Sequence, residues 1–110
     1  MKPAHFHPKA RLVLQEFPED VRRELGKAIF DLQKGHSLAM PLSKPMPSVG
    51  KGAEELRIKD RSGAYRVFYY ARFHNKVLVF HAFQKKTQKT PKHEIELGQK
   101  RLKELLNEEV

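Results

Sequence analysis

The sequence predicts an α+β fold, a small antiparallel sheet with an N-terminal helix packed on one face and a second helix closing the chain. Three observations predict it. An apolar stripe at helical spacing runs from Val21 to Leu32, three segments with strand-like alternation fall between residues 55 and 83, and a second helical stripe fills 95–106. Helices grouped against an antiparallel sheet are one of the few ways to bury both kinds of element. At 110 residues the chain is expected to be one domain, 1–110, with a modest core.

Residues 11–14, Arg-Leu-Val-Leu, read as a short strand, with a helical lead-in as the alternative. Phe17-Pro18-Glu19-Asp20 then opens the first helix, because proline is tolerated in a first turn and acids suit the positive end of the helix dipole. Val21, Leu25, Ala28 and Leu32, with Ile29 beside them, form its apolar stripe, and Gly35 stops it. Pro41, Pro45, Pro47, Gly50 and Gly52 make residues 36–53 irregular. Gly50-Lys51-Gly52 lacks the spacing of a phosphate loop.

Strands are expected at 55–60, 64–73 and 76–83. A hairpin loop at Ser62-Gly63 would set Lys59 opposite Arg66, Arg57 opposite Phe68 and Arg61 opposite Ala64. A second tight turn at His74-Asn75 would set Tyr69 opposite Phe80 and Val67 opposite Ala82. One face of this meander then carries Leu56, Ile58, Val67, Tyr69, Ala71, Leu78, Phe80 and Ala82. The other carries Arg57, Lys59, Arg61, Arg66, Phe68, Tyr70, Arg72, Val79, His81 and Phe83. Thr90 and Pro91 suit the N-cap and first position of the last helix, whose stripe is Ile95, Gly98, Leu102, Leu105 and Leu106.

The formal net charge is +9, and its distribution is uneven. Residues 36–93 carry 12 basic and 3 acidic side chains, while 1–35 carry net +2 and 94–110 net −2. Such a field draws in polyanions, though a merely solubilising surface has the same composition. With no cysteine there is no disulfide framework and no thiolate chemistry. No apolar run is long enough to span a membrane, no secretory leader pattern opens the chain, and a cytoplasmic protein is expected.

Arg57, Lys59 and Arg66 are the leading candidates for phosphate contacts, since guanidinium groups donate bidentately to phosphate oxygens. Phe68, Tyr70 and Phe83 are either base-stacking platforms or core beneath the last helix. Lys85, Lys86, Lys89 and Lys92 form a basic run leading to a helix N-terminus, extending the same face. His81 is the histidine that the pairing puts on that face. His5 and His7 lack further ligands, so no metal site is expected.

The "ELRIK…YRVFYY" stretch (residues 55–70) and the "HAFQKKTQKTP" stretch (residues 81–91) resemble the RelE/ParE superfamily of toxins, and within it the phage-derived Gp49-like, HigB-type branch. The resemblance implies a type II toxin neutralised by a helix-turn-helix antitoxin. It implies a metal-independent, cofactor-free endoribonuclease that cuts mRNA on the ribosome by attack of a ribose 2′-OH on the adjacent phosphate, touching ribosomal RNA as it does so. The family's basic residues match Arg57, Lys59, Arg66, Lys85 and Lys86. A tyrosine that takes part in proton transfer in RelE has no counterpart, since no tyrosine follows Tyr70. His93 or His81 would take its place, or the cations would do most of the work. The superfamily also contains DNA gyrase inhibitors, and a copy that only binds its antitoxin would keep the fold.

Overall fold

The computed structural model describes residues 1–73 and 75–108, with the side chains of Arg72 and Phe73 outside that description. Strand β1 (Ala4–Phe6) leads into helix α1 (Pro8–Gln15) and helix α2 (Glu19–Gln33). Strands β2 (Ser43–Pro45), β3 (Glu54–Asp60), β4 (Gly63–Phe73) and β5 (Lys76–Lys85) follow, and helix α3 (Lys92–Glu108) closes the chain. The sheet order is β1-β5-β4-β3-β2, antiparallel throughout except where β1 runs parallel to β5.

The first helix of the sequence reading is present as α2. Pro18 precedes it, Glu19 and Asp20 lie in its first turn, and Gly35 with φ of +92° follows its end. Val21, Leu25, Ala28, Ile29 and Leu32 are all buried. Residues 11–14 are helical, not a strand. His7 caps α1 by accepting the Lys9 N–H at its Nδ1 (3.2 Å), and Pro8 takes the first helical position. Strands β1 and β2 were not foreseen. β2 lies in the proline-rich stretch as a three-residue edge, where Pro45 needs no ladder donor. Pro91 sits one residue earlier than expected, outside α3, its carbonyl accepting the N–H groups of Glu94 and Ile95.

Two further expectations about register are corrected. The loop of the first hairpin is Arg61-Ser62, because Asp60 accepts both the Ser62 N–H (2.8 Å) and its hydroxyl (2.6 Å), leaving Gly63 in the strand. This slides the pairing by two residues, so Arg57 faces Arg66, Lys59 faces Ala64, and Glu55 faces Phe68. An even slide leaves the faces of β3 and β4 as expected. Between β4 and β5, Val67 faces Ala82 as expected, but Tyr69 faces Val79 and Phe80 is the extra residue of a bulge. Residues on the far side of the bulge exchange faces. Val79 joins the helix-α2 core, and Leu78 and Phe80 turn to the opposite side. The second turn includes His74, which lies outside the described residues.

The sheet is therefore covered on both sides. One core joins α2 and part of α1 to Leu56, Ile58, Tyr65, Val67, Tyr69, Val77, Val79 and Ala82. Within it the Tyr69 and Ser43 hydroxyls share a hydrogen bond of 2.6 Å, and burial pushes the Tyr69 phenol up to about 12. The other core packs Leu102 and Leu105 of α3 over Phe68, Leu78, Phe80 and Phe83. Gly98 permits this approach, since a Cβ there would lie 2.7 Å from the Phe68 ring. Among the described residues no helix is long and apolar enough to cross a membrane.

Candidate functional site

The half of the second sheet face that α3 leaves uncovered is a groove of about 410 Å³ lined by Pro41, Leu42, Arg57, Lys59 and Arg66. Strand alternation puts Arg57 and Lys59 of β3 on this side, and pairing brings Arg66 of β4 directly opposite Arg57. The Arg57 N–H donates to the Leu42 carbonyl (2.8 Å), which fixes the Pro41-Leu42 wall along the strand.

Like charges opposed on neighbouring strands repel, by about 0.2–1 kcal/mol in ordinary pairs. Here the buried carboxylate of Glu55 lies between them. Its Oε1 is 3.6 Å from Arg66 Nε and 4.0 Å from Arg57 Nε, and its Oε2 accepts the Thr90 hydroxyl at 3.3 Å. Arg66 is only 4% exposed. Its Nη1 donates to its neighbour's carbonyl, that of Tyr65 (3.1 Å), while its buried Nε makes no hydrogen bond. Burial lowers the Arg66 pKa, Glu55 opposes this and Arg57 adds to it. Lys85, half-buried at the end of β5, is lowered first by burial and then by Arg66. Arginine remains protonated through such shifts. The result is a cluster of cations around one carboxylate.

The sequence-derived residues divide clearly. Arg57, Lys59, Arg66 and Lys85 come together. Arg61 at the hairpin tip and Lys86, Lys89 and Lys92 are exposed. Thr90, within that lysine run, touches Glu55 and so brings the run against β3. Phe68 and Phe83, expected either as stacking platforms or as core, are core. Both are buried beneath α3 with their rings packed edge to face, 5.6 Å apart, so neither offers a face to a base. Tyr70 is half-buried at the margin of that core.

His81 lies in the same core, 2% exposed. Arg101 donates to its Nδ1 (2.7 Å), so its Nε2 carries the proton and donates to Glu94 (2.7 Å). Burial holds its pKa below the usual imidazole range, with Glu94 opposing and Arg101 reinforcing. Both ring nitrogens are occupied, which leaves no free lone pair for a substrate proton. His93 is different. It is exposed, its Nε2 lies 3.2 Å from Glu94 Oε2, and it stands three residues beyond Thr90. His7 and His5 pair with Glu104 (2.9 Å) and Glu108 (3.6 Å) of α3. Among the described residues no three metal-ligating side chains converge.

Sequence reasoning missed Glu55 and Lys44. Alternation already sets Glu55 on the face of Arg57 and Lys59, but its burial beside Arg66 appears only in the folded sheet. Lys44 faces Glu55 across the β2 edge and contributes to the field at Lys85.

The sequence pattern of the family described as phage-derived protein Gp49-like (DUF891) matches residues 13–103. The chain belongs to the phage-derived Gp49-like family. No curated protein sequence matches significantly. Among solved structures, this Gp49-like fold is similar to the isolated E. coli RelE toxin, with TM-score 0.56, 16% identity and all of both chains covered. It is also similar to the free state of a double mutant of E. coli RelE (TM-score 0.51, 17% identity, 94% of this chain and 97% of that one). A third match is a chain of the intact E. coli RelBE toxin–antitoxin complex (TM-score 0.50, 19% identity, 79% of this chain and 100% of that one). The Gp49-like protein thus has the RelE fold.

Proposed function

We propose that this Gp49-like protein is the toxin of a type II toxin–antitoxin pair and a ribosome-dependent mRNA endonuclease. The observation that carries this reading is the Arg57–Arg66 pair across β3 and β4, which lines the groove together with Lys59. In the proposed reaction the ribose 2′-OH attacks the adjacent phosphorus in line. The P–O5′ bond breaks, giving a 2′,3′-cyclic phosphate and a 5′-OH. Negative charge grows on the non-bridging oxygens as the phosphorus becomes five-coordinate. Arg66 and Arg57 stabilise that charge, and donors already fixed in place need no reorganisation at that moment.

Lys85, Lys86, Lys89 and Lys92 hold flanking phosphates of mRNA or ribosomal RNA, with Lys59 and Arg61 at the hairpin end. We assign proton transfer to His93, a reading supported by its exposed ring and by His81 having both nitrogens engaged. The partner is an antitoxin, a reading supported by the likeness to a chain of the RelBE toxin–antitoxin complex, and the family resemblance implies that it is of the helix-turn-helix kind. The whole chain acts as one toxin domain in the cytoplasm.

The test is brief induction in cells with mapping of mRNA 5′ ends and DNA supercoiling measured alongside. Codon-phased cuts and growth arrest are expected, both lost by at least about 100-fold in a folded Arg66→Ala variant. Intact transcripts with relaxed or broken DNA would overturn the endonuclease reading in favour of a gyrase inhibitor. Growth arrest unchanged in folded Arg66→Ala would remove Arg66 from the site.

A further inference from the structure

We infer that Glu55 is the positioning residue of the groove, holding Arg66, Arg57 and the lysine-rich segment in the arrangement that grips a phosphate. The inference rests on the reading of the groove as a phosphate site. A carboxylate is a poor choice beside an anionic ligand, because its charge repels what the arginines attract. It is also costly to bury, and the Glu55 side chain is only 4% exposed. A residue that opposes the ligand and is hard to desolvate needs a compensating role.

The geometry supplies one. Glu55 Oε1 reaches Arg66 Nε at ion-pair distance (3.6 Å) and Arg57 Nε at 4.0 Å, so a single oxygen restrains two opposed guanidinium groups. It does so without satisfying Arg66 Nε through a hydrogen bond. Its other oxygen accepts the Thr90 hydroxyl (3.3 Å), tying the segment that carries Lys86 and Lys89 to β3 from 35 positions away. Three pieces of chain, β3, β4 and the approach to α3, therefore meet on one carboxylate. Without it, Arg57 and Arg66 would repel each other and Thr90 would lose its anchor.

This role predicts an effect opposite in sign to simple electrostatics. Glu55→Gln preserves shape and removes a negative charge from beside the groove. If Glu55 were only a neutralising charge, anions would bind the variant more tightly. As a positioning residue, its loss weakens binding.

The experiment uses the full chain and two probes, inorganic pyrophosphate by calorimetry and an uncleavable 2′-O-methyl trinucleotide by fluorescence anisotropy. Glu55→Gln is expected to weaken both at least fivefold with an unchanged circular dichroism spectrum, and the Arg66 Nε–H resonance should move. Thr90→Val should weaken binding in the same direction, and Thr90→Ser, which keeps the hydroxyl, should restore it. Equal or tighter binding by Glu55→Gln overturns the inference. If that variant does not fold, unchanged affinity in Thr90→Val overturns it instead. Wild type binding pyrophosphate but not the trinucleotide would sink the RNA reading, while the Glu55 comparison is still decided on pyrophosphate. Wild type binding neither probe sinks both.

Discussion

Arg57 and Arg66 face each other across β3 and β4, and one buried carboxylate, Glu55, lies within 4.0 Å of both Nε atoms. This relationship makes the groove a charged site held ready before any ligand arrives. The interactions around it lead to four expectations.

His81 is a structural histidine, and its contribution to stability depends on pH. Its folded pKa lies below the ordinary 6.5, so the fold prefers the neutral ring and the unfolded chain takes up the proton first. Stability from this group is full above the unfolded pKa and is lost as pH falls through the folded one, with a limiting slope of about 1.4 kcal/mol per pH unit. His81→Gln can still accept from Arg101 and donate to Glu94. Urea denaturation from pH 7.5 to 5 should show the slope in wild type and a smaller one in the variant, with toxicity retained. Loss of toxicity in a folded His81→Gln protein would return His81 to the reaction.

His93→Ala should leave the fold intact, because the ring is 70% exposed and its contact is an ion pair with Glu94 at the start of the same helix. Cleavage should fall by roughly 10²–10⁴-fold if the ring transfers a proton in the transition state. Primer extension on a defined message with purified ribosomes would measure it. A wild-type rate would leave transition-state stabilisation to the cations.

Gly98→Ala should destabilise the protein although alanine favours helix. The new methyl would lie 2.7 Å and 3.0 Å from two atoms of the Phe68 ring, which is fully buried against the rings of Phe80 and Phe83. Overpacking costs about 1–3 kcal/mol, against a gain of about 1 kcal/mol from helix propensity. Gly26→Ala in α2 is the control. Nothing lies within 4 Å of its Cβ, so it should stabilise by about 0.5–1 kcal/mol. Chemical denaturation of the two variants should give shifts of opposite sign.

Binding of single-stranded RNA should weaken steeply with salt. If about four phosphates are neutralised, log K should fall against log salt with a slope of about −3. Lys86→Ala should lower that slope by about 0.7, since the exposed lysine releases one counterion's worth of interaction. Anisotropy titrations across a potassium chloride series would show both effects. A slope that Lys86→Ala does not change would remove that lysine from the interface.

Much of this architecture was legible because simple periods encode it. The α2 stripe from Val21 to Leu32 repeats at helical spacing, and the split of β3 and β4 into apolar and basic faces follows from alternation alone. Local chemistry could have located α1, since His7-Pro8 is a cap followed by a favoured first residue, and Asp60 marked the hairpin loop better than Gly63 did. The bulge at Phe80 had no local signal. It arises where β5 must serve two cores at once, with Val79 packing towards α2 and Phe80 towards α3. For the same reason the basic residues were identified from sequence while their setting was not. The basic face, whose aromatics could have been either platforms or core, is half roofed by α3, and pairing places Glu55 among the cations.

That roof decides how much of a polymer this molecule can hold. With helices on both sides of the sheet, Arg57, Lys59 and Arg66 are offered in one recess of about 410 Å³, the size of a small-ligand pocket. On the proposed function, a recess of that size takes a single nucleotide and leaves its neighbours to the exposed side chains of Lys86, Lys89 and Lys92. A long nucleic acid would contact it at one linkage and gain little avidity from its length. If the proposed function holds, selectivity among many linkages would come from whatever body presents the strand.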